Sequence, residues 1–330
     1  MPKKYDVIIV GGASAGLSAA LYTSRQNLKT LVITKDIGGQ ALLTDSIQNY
    51  PGYQNIGGFD LLTKFQEQAM IYGAEFLYDE VQSISESEEG FSVKSYSDEN
   101  LAETLILAFG KTPRDLGVSG ENELKGKGVS YCAVCDGPLF KSKKVAVVGN
   151  GDNAIEAASY LSSLASSLYI VQSTEKIRGD EETVNSLKSM KNVEFINGST
   201  VNKILGENSV TGLELKIKDG KNSIETDAVF IEMGYIARTD LVKDLVELNK
   251  IGEVVVDKFC ATSKEGIFAC GDVTDTPYKQ VVISAGQGAI AALSAYNYIQ
   301  RKKGRPTSKT DWKSVRVQKE DKSDFKLSRT

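Results

Sequence analysis

Histidine is absent from this 330-residue sequence. Its absence removes Ser-His-Asp and Cys-His nucleophiles and the histidine-ligated zinc hydrolases. Cysteine is scarce: Cys132, Cys135, Cys260 and Cys270 are the only four, too sparse for a secreted disulfide framework. Positive charge is not in excess either, with 39 basic against 43 acidic residues and a net charge of −4. No basic block is longer than "RKKGR" at 301–305, so the chain lacks the electrostatic footprint of a nucleic-acid binder. No apolar run reaches the roughly 20 residues that a membrane span needs. The opening "MPKKYDVIIVGG" enters a strand without a signal-peptide pattern, and a cytoplasmic protein is expected. The one tryptophan, Trp312, falls in a polar, charged stretch that reads as a tail over 301–330, where the indole is an exposed anchor, a lid over the rest of the fold or a contact with a partner subunit. Chemistry is left to thiols, carboxylates or a cofactor, on a chain long enough for about two domains.

The apolar patterning then supplies two anion cradles. "YDVIIVGGASAGLSAALYTSR" is a buried strand, a glycine turn and a helix of small residues. Gly11 stands at the turn of a dinucleotide fingerprint and Gly16 at its helix–strand contact, with Ala13 in the middle position. "KKVAVVGNGDNAIEAASYLSSL" repeats the pattern with Gly149, Gly151 and Ala154 completing G-x-G-x-x-A after a strand over Lys144–Val148. Two such units imply a flavin and a pyridine nucleotide. Farther on, "GIFACGDVTDTPYKQVVISAGQGAIAALSAYNYI" reads as a strand, a Gly271-Asp272 turn and a helix from near Ser284. Residues 193–231 read as short strands whose meander completes the second domain's sheet.

"SYCAVCDGPLF" places Cys132 and Cys135 two residues apart. Half a metal site, a structural disulfide or a redox pair would each use that spacing. Zinc would need two more ligands without any histidine or second close cysteine pair, a poor fit. A C-x-x-C beside a nucleotide fold is the redox expectation. Cys260 and Cys270 stand alone in apolar settings and read as small core residues.

"GLSAALYTSR", "GGQALLTDSIQNYPG", "YCAVCDG", the second cradle and "GIFACGDV" follow one another in an order and spacing that resembles the low-molecular-weight thioredoxin reductases, FAD-containing homodimers, as far as about residue 300. The resemblance implies an α/β fold of two Rossmann-like dinucleotide-binding domains of three-layer ββα build, the second inserted in the first. The FAD domain would comprise 1–114 and 244–300, and the inserted NAD(P)-binding-like domain 115–243 would carry the redox disulfide. Ser14, Ala15, Gly39, Gln40, Asn49, Gly271, Asp272, Gln280 and Val281 would join Gly11 and Gly16 at FAD. By the same resemblance Cys135 receives electrons from the flavin, Cys132 attacks the disulfide of thioredoxin or a thioredoxin-like protein, and Asp136 exchanges the proton, serves as a helix cap, or does both. Hinges would lie near "KTPRD" and "GYIARTD".

"LYIVQSTEKIRGDEE" departs from the pattern. NADPH-using members carry H-R-R-x-x-x-R there; Gln172, Ser173 and Thr174 fill the first three places and only Arg178 matches. Two lost charge-assisted hydrogen bonds at roughly 1.5–3 kcal/mol each amount to a hundredfold or more in affinity. NADH would want an acid at the strand end, and Glu175 comes three residues late. A protein donor such as reduced ferredoxin is also open, since a plant-type ferredoxin lies roughly 130 mV below thioredoxin, about 6 kcal/mol for two electrons. Two other classes fit the same motifs: a dithiol oxidase that passes electrons to O₂, and a non-catalytic redox-sensing flavoprotein.

Overall fold

The structure is a computed structural model and describes residues 2–43, 46–217 and 220–308. Trp312 and the tail beyond 308 lie outside the described residues. The chain divides into two compact units: one is interrupted after Lys111 and resumes at Ala237, and the other is the inserted Thr112–Ile236. Both crossings fall inside "KTPRD" and "GYIARTD", a few residues before the boundaries expected at 114 and 244.

The first segment runs β1 (Lys3–Val10), α1 (Ser14–Arg25), β2 (Thr30–Thr34), α2 (Gly58–Ile71), β3 (Glu75–Tyr78), β4 (Val81–Ser87), β5 (Gly90–Ser95) and β6 (Glu99–Leu107). The inserted unit contains β7 (Thr112–Pro113), β8 (Val129–Ser130), α3 (Ala133–Asp136), β9 (Lys144–Gly149), α4 (Asp152–Ser162), β10 (Ser167–Val171), α5 (Glu181–Ser189), β11 (Val193–Ile196), β12 (Thr200–Gly206), β13 (Val210–Ile217), β14 (Gly220–Glu225), β15 (Ala228–Glu232) and β16 (Tyr235–Ile236). The returning segment adds β17 (Ile267–Ala269) and α6 (Val281–Lys302).

In the first unit the strand order is β3-β2-β1-β6-β5-β4, with β17 also paired to β6. β3, β2, β1, β6 and β17 are parallel neighbours, while β4 and β5 join antiparallel. The apolar run of β1 sends alternate residues to opposite faces, as a strand must. Val7 and Ile9 pack with Ala15, Ala19, Ala291 and Ala295 of the helices α1 and α6. Ile8 and Val10 pack with Val93, Leu105, Val242 and Val246 on the other side. Small residues on α1 and α6 let the helices lie close together. α6 begins at Val281, three residues before the expected start near Ser284, with Gln280 at its N-cap.

In the inserted unit a parallel sheet runs β11-β10-β9-β15-β8. Val145 and Val147 face α4 and α5 through Ile155, Leu161 and Leu187. Ala146 and Val148 face β12 and β13 through Ile204, Leu213 and Leu215. The layers are therefore helix, parallel sheet and meander, which gives an α/β, ββα architecture. One expectation is corrected: β12-β13-β14 form a separate antiparallel sheet, and only β11 and β15 of the 193–231 region complete the central one. Alternate apolar residues on β12 and β13 bury one face against Val148 and Val171, a layer contact that local patterning does not distinguish from edge pairing. Among the described residues, no helix is long and apolar enough to cross a membrane.

Candidate active site

The parallel strands of the first unit end together, and the segments leaving β1, β6 and β17 wall a cavity of about 360 Å³. Ligands in open α/β sheets bind outside the carboxyl ends of the strands, and this cavity has that placement. Ser14, Ala15, Gly39, Gln40, Asn49, Gly271, Asp272, Gln280 and Val281 all line it. Gly11 and Gly16 serve beneath the wall. A Cβ on Gly16 would lie 1.9 Å from the Gly11 carbonyl oxygen, so only glycine lets α1 start this close to the turn. The N-cap Ala13 offers no side-chain cap and no acid stands in the first turn, which leaves the N-terminal N–H groups of α1 to an anion.

Long-range hydrogen bonds fasten the wall. Asn49 Nδ2 donates to Gln280 Oε1 at 2.9 Å, Ser284 Oγ donates to Asp272 at 3.1 Å, and Gln40 Nε2 donates to the Lys111 carbonyl at 3.2 Å. The sequence reading missed three charged residues here. Lys111 and Lys279 line the cavity, and both pair with one oxygen of Glu253, at 2.8 and 3.1 Å. Burial works against the Glu253 carboxylate, but hydrogen bonds from Lys111, Asn249 and Lys279 outweigh it and hold the group below its usual carboxylate range. The site's residues and its uncapped helix start fit a dinucleotide such as FAD.

Cys132 and Cys135 are joined as a disulfide across the turn α3. Cys132 caps the turn, and the backbone N–H of Cys135 donates to its Sγ at 3.1 Å. The buried Ser130 hydroxyl accepts from the Cys132 N–H at 3.0 Å and donates to the Cys132 carbonyl at 3.3 Å, fixing that residue from both sides. Cys132 is half-buried and Cys135 exposed. Asp136 closes the turn half-buried; its carboxylate makes no capping bond to the short 3-10 segment that follows, so the helix-cap alternative is not realised. Among the described residues no cluster of three or more metal-ligating side chains exists. Cys260 and Cys270 are free and buried. Burial, with Asp257 assisting, pushes the Cys260 thiol up to about 12, and burial raises the fully enclosed Cys270 as well.

The second cradle is built differently from the first. A Cβ on Gly149 would lie 2.1 Å from the Glu232 carbonyl oxygen, and Gly151 turns with φ of +85° into α4, where Ala154 is fully buried against Val145 and Val147. Yet Asp152 occupies the first turn of α4, where a phosphate would meet a like charge. Asn150 is bonded to the β10 end: Ser173 N–H donates to its Oδ1 at 3.1 Å, its Nδ2 donates to Ser173 Oγ at 3.0 Å, and Thr174 Oγ1 donates to Oδ1 at 3.4 Å. Gln172 is completely buried with neither amide atom partnered, Arg178 is exposed, and the Glu175 carboxylate lies against Gly198. Burial and the Glu156 charge push the carboxyl of Glu232, in register with Gly149, up to about 7. The cavity beside this cradle holds about 150 Å³, below the roughly 300–1,000 Å³ of usual ligand pockets.

Comparison with known proteins agrees with this geometry. Residues 5–288 match the family described as pyridine nucleotide-disulphide oxidoreductase. A thioredoxin reductase of Bacillus subtilis is 39% identical over 302 residues, covering 90% of this chain and 96% of the relative. The crystal structure of Lactococcus lactis thioredoxin reductase superposes with a TM-score of 0.77 at 34% identity, covering 90% of this chain and 99% of that one. A ferredoxin-flavin thioredoxin reductase of Clostridium acetobutylicum superposes with a TM-score of 0.53 at 35% identity, covering 92% of this chain and all of that one. A cavity outside the strand ends, a disulfide in the inserted unit and matches over nine-tenths of the chain agree: this oxidoreductase belongs to the pyridine nucleotide-disulphide oxidoreductase family, with the fold of the low-molecular-weight thioredoxin reductases.

Proposed function

We propose that this protein is a flavin-dependent disulfide reductase acting on thioredoxin or a thioredoxin-like protein, and that a small electron-transfer protein such as reduced ferredoxin, in place of NADPH, supplies the electrons. The Cys132–Cys135 disulfide, held in an exposed turn beside a nucleotide fold, is the observation that carries the reductase reading. Ser14, Ala15, Gly39, Gln40, Asn49, Gly271, Asp272, Gln280 and Val281 would hold FAD, which would supply the electron pair for reduction of this disulfide. The Cys132 thiolate, favoured by the Cys135 N–H, then attacks one sulfur of the substrate disulfide and expels the other as thiolate. Cys135 next attacks Cys132 Sγ in the mixed disulfide, which releases the second substrate thiolate and restores the internal disulfide. Asp136, half-buried at the end of the turn, gives and takes the proton.

The donor reading is supported by the second cradle. Asn150 ties its turn to Ser173 and Thr174, Asp152 puts a negative charge in the first turn of α4, and Ser173 and Thr174 stand where the family's two arginines would be. The Clostridium acetobutylicum neighbour, named for ferredoxin, matches the full span of its own chain. Anaerobic titration of the flavin absorbance with NADPH, NADH and reduced ferredoxin in separate cuvettes tests it. Bleaching by ferredoxin alone is expected; rapid stoichiometric bleaching by NADPH would overturn the donor assignment and leave the reductase standing. Turnover with oxidised thioredoxin separates the remaining classes, because a sensor stops after one equivalent and a dithiol oxidase consumes O₂ with reduced substrate.

A further inference from the structure

We propose that the Lys111–Glu253–Lys279 triad sets the reduction potential of the bound flavin, by keeping one uncompensated positive charge beside the ring. The inference rests on the reading of the strand-end cavity as the FAD site. Lys111 follows β6, Glu253 comes from the loop before β17, and Lys279 immediately precedes the N-cap of α6. Their side chains are 16%, 8% and 26% exposed, so the group is largely withdrawn from water. A single carboxylate oxygen receives both ammonium groups, while the other oxygen accepts from Asn249 Nδ2 at 2.8 Å. One negative charge cannot neutralise two positive ones, and a poorly solvated surplus calls for an anion.

FAD presents two anionic parts. Its diphosphate is always charged, and its ring acquires one negative charge when two electrons and one proton enter it. The wall divides accordingly. The N-terminal N–H groups of α1, uncapped and with no acid in the first turn, form the fingerprint's diphosphate cradle, and Gly271 lies against Ala15 beside them. Lys111 and Lys279 belong to the other group, tied to Gln40 through the Lys111 carbonyl and to Glu253. The diphosphate is thus provided for at α1, and the triad is left for the reduced ring. Charge beside the ring is one of the means by which a protein tunes a flavin. Glu253 acts through the lysines and is a positioning residue.

Reductive titration of FAD-loaded full-length protein with dithionite and a reference dye decides this, in a C132S/C135S background where only the flavin takes up electrons. K279M is expected to weaken binding of reduced FAD about tenfold relative to oxidised FAD, a midpoint about 30 mV more negative. K279R should restore the midpoint, and E253Q should move it the opposite way, which damage to the fold would not do. If E253Q does not fold, the K279M and K279R pair still decides. Equal loss of oxidised and reduced FAD affinity at an unchanged midpoint would assign the lysines to the diphosphate and overturn the proposal. Absence of FAD from the purified parent protein, after loading and gel filtration, would instead refute the cavity reading itself.

Discussion

The backbone N–H of Cys135 points at Sγ of Cys132, 3.1 Å away, at the start of the turn that their disulfide closes. On reduction that donor and the local helix end favour a thiolate on Cys132 over one on Cys135. Cys135→Ser should therefore trap thioredoxin as a stable mixed disulfide, whereas Cys132→Ser should trap much less. Non-reducing gels and mass spectrometry of the complex read the difference directly; equal trapping by both variants would remove the assigned order of attack.

Asn150 sits where its amide occupies the hydroxyls at the β10 end. The triple change N150A/S173R/T174R opens that space and adds the two absent cations. NADPH should bind about a hundredfold more tightly, from two bonds at roughly 1.5–3 kcal/mol each less the cost of ordering the side chains. Calorimetric titration measures it, and an unchanged Kd would show that the 2′-phosphate is not received at this strand end.

Glu232 gives a pH dependence with a definite sign. Its carboxyl is raised to about 7 in the fold, first by burial and then by Glu156, above an ordinary value near 4.5. Protonated Glu232 is tolerated at low pH, and stability is lost as pH rises from about 4.5 through 7, where the unfolded chain ionises and the folded one resists. Glu232→Gln should accordingly gain about 2 kcal/mol over the parent protein at pH 8, the full shift discounted for the side chain's partial exposure, and almost nothing at pH 4. Urea unfolding at the two pH values tests the difference.

Cys260 and Cys270 are predicted to be silent. Both are buried with thiols raised by burial, and thiolates do the reacting. A colorimetric thiol titration of the native protein should find no fast group before reduction and two after it, Cys132 and Cys135, with the remaining two emerging only in denaturant. Rapid reaction of a third thiol in the native state would contradict the enclosed core seen around Cys270.

How far the sequence carries can be seen at particular residues. Nine of the eleven positions expected at FAD, from Ser14 to Val281, line one cavity; Ser14 and Ala15 do so because a strand–turn–helix motif sets their course locally, whereas Gly39, Gln40 and Asn49 reach it from the irregular segments after β2. The start of α6 is not legible in "TPYKQVVIS", because its N-cap, Gln280, is neither a serine nor an aspartate. The separate sheet of β12-β13-β14 is not legible either, because alternation reports that one face of β12 and β13 is buried without saying against what.

The sequence by itself determined the chemistry available: two cysteines in a four-residue turn, two glycine cradles and no histidine. Those are local facts, fixed by spacing along the backbone. Tertiary structure alone decided which distant charges meet. Lys111 and Lys279 share one oxygen of Glu253 because segments remote in sequence converge beyond the strand ends, and Asn150 bonds to Ser173 because β9 and β10 are parallel neighbours. Such pairings carry no periodic signature, since a buried ion cluster or an amide bridge depends on where chains cross and not on what precedes or follows each residue.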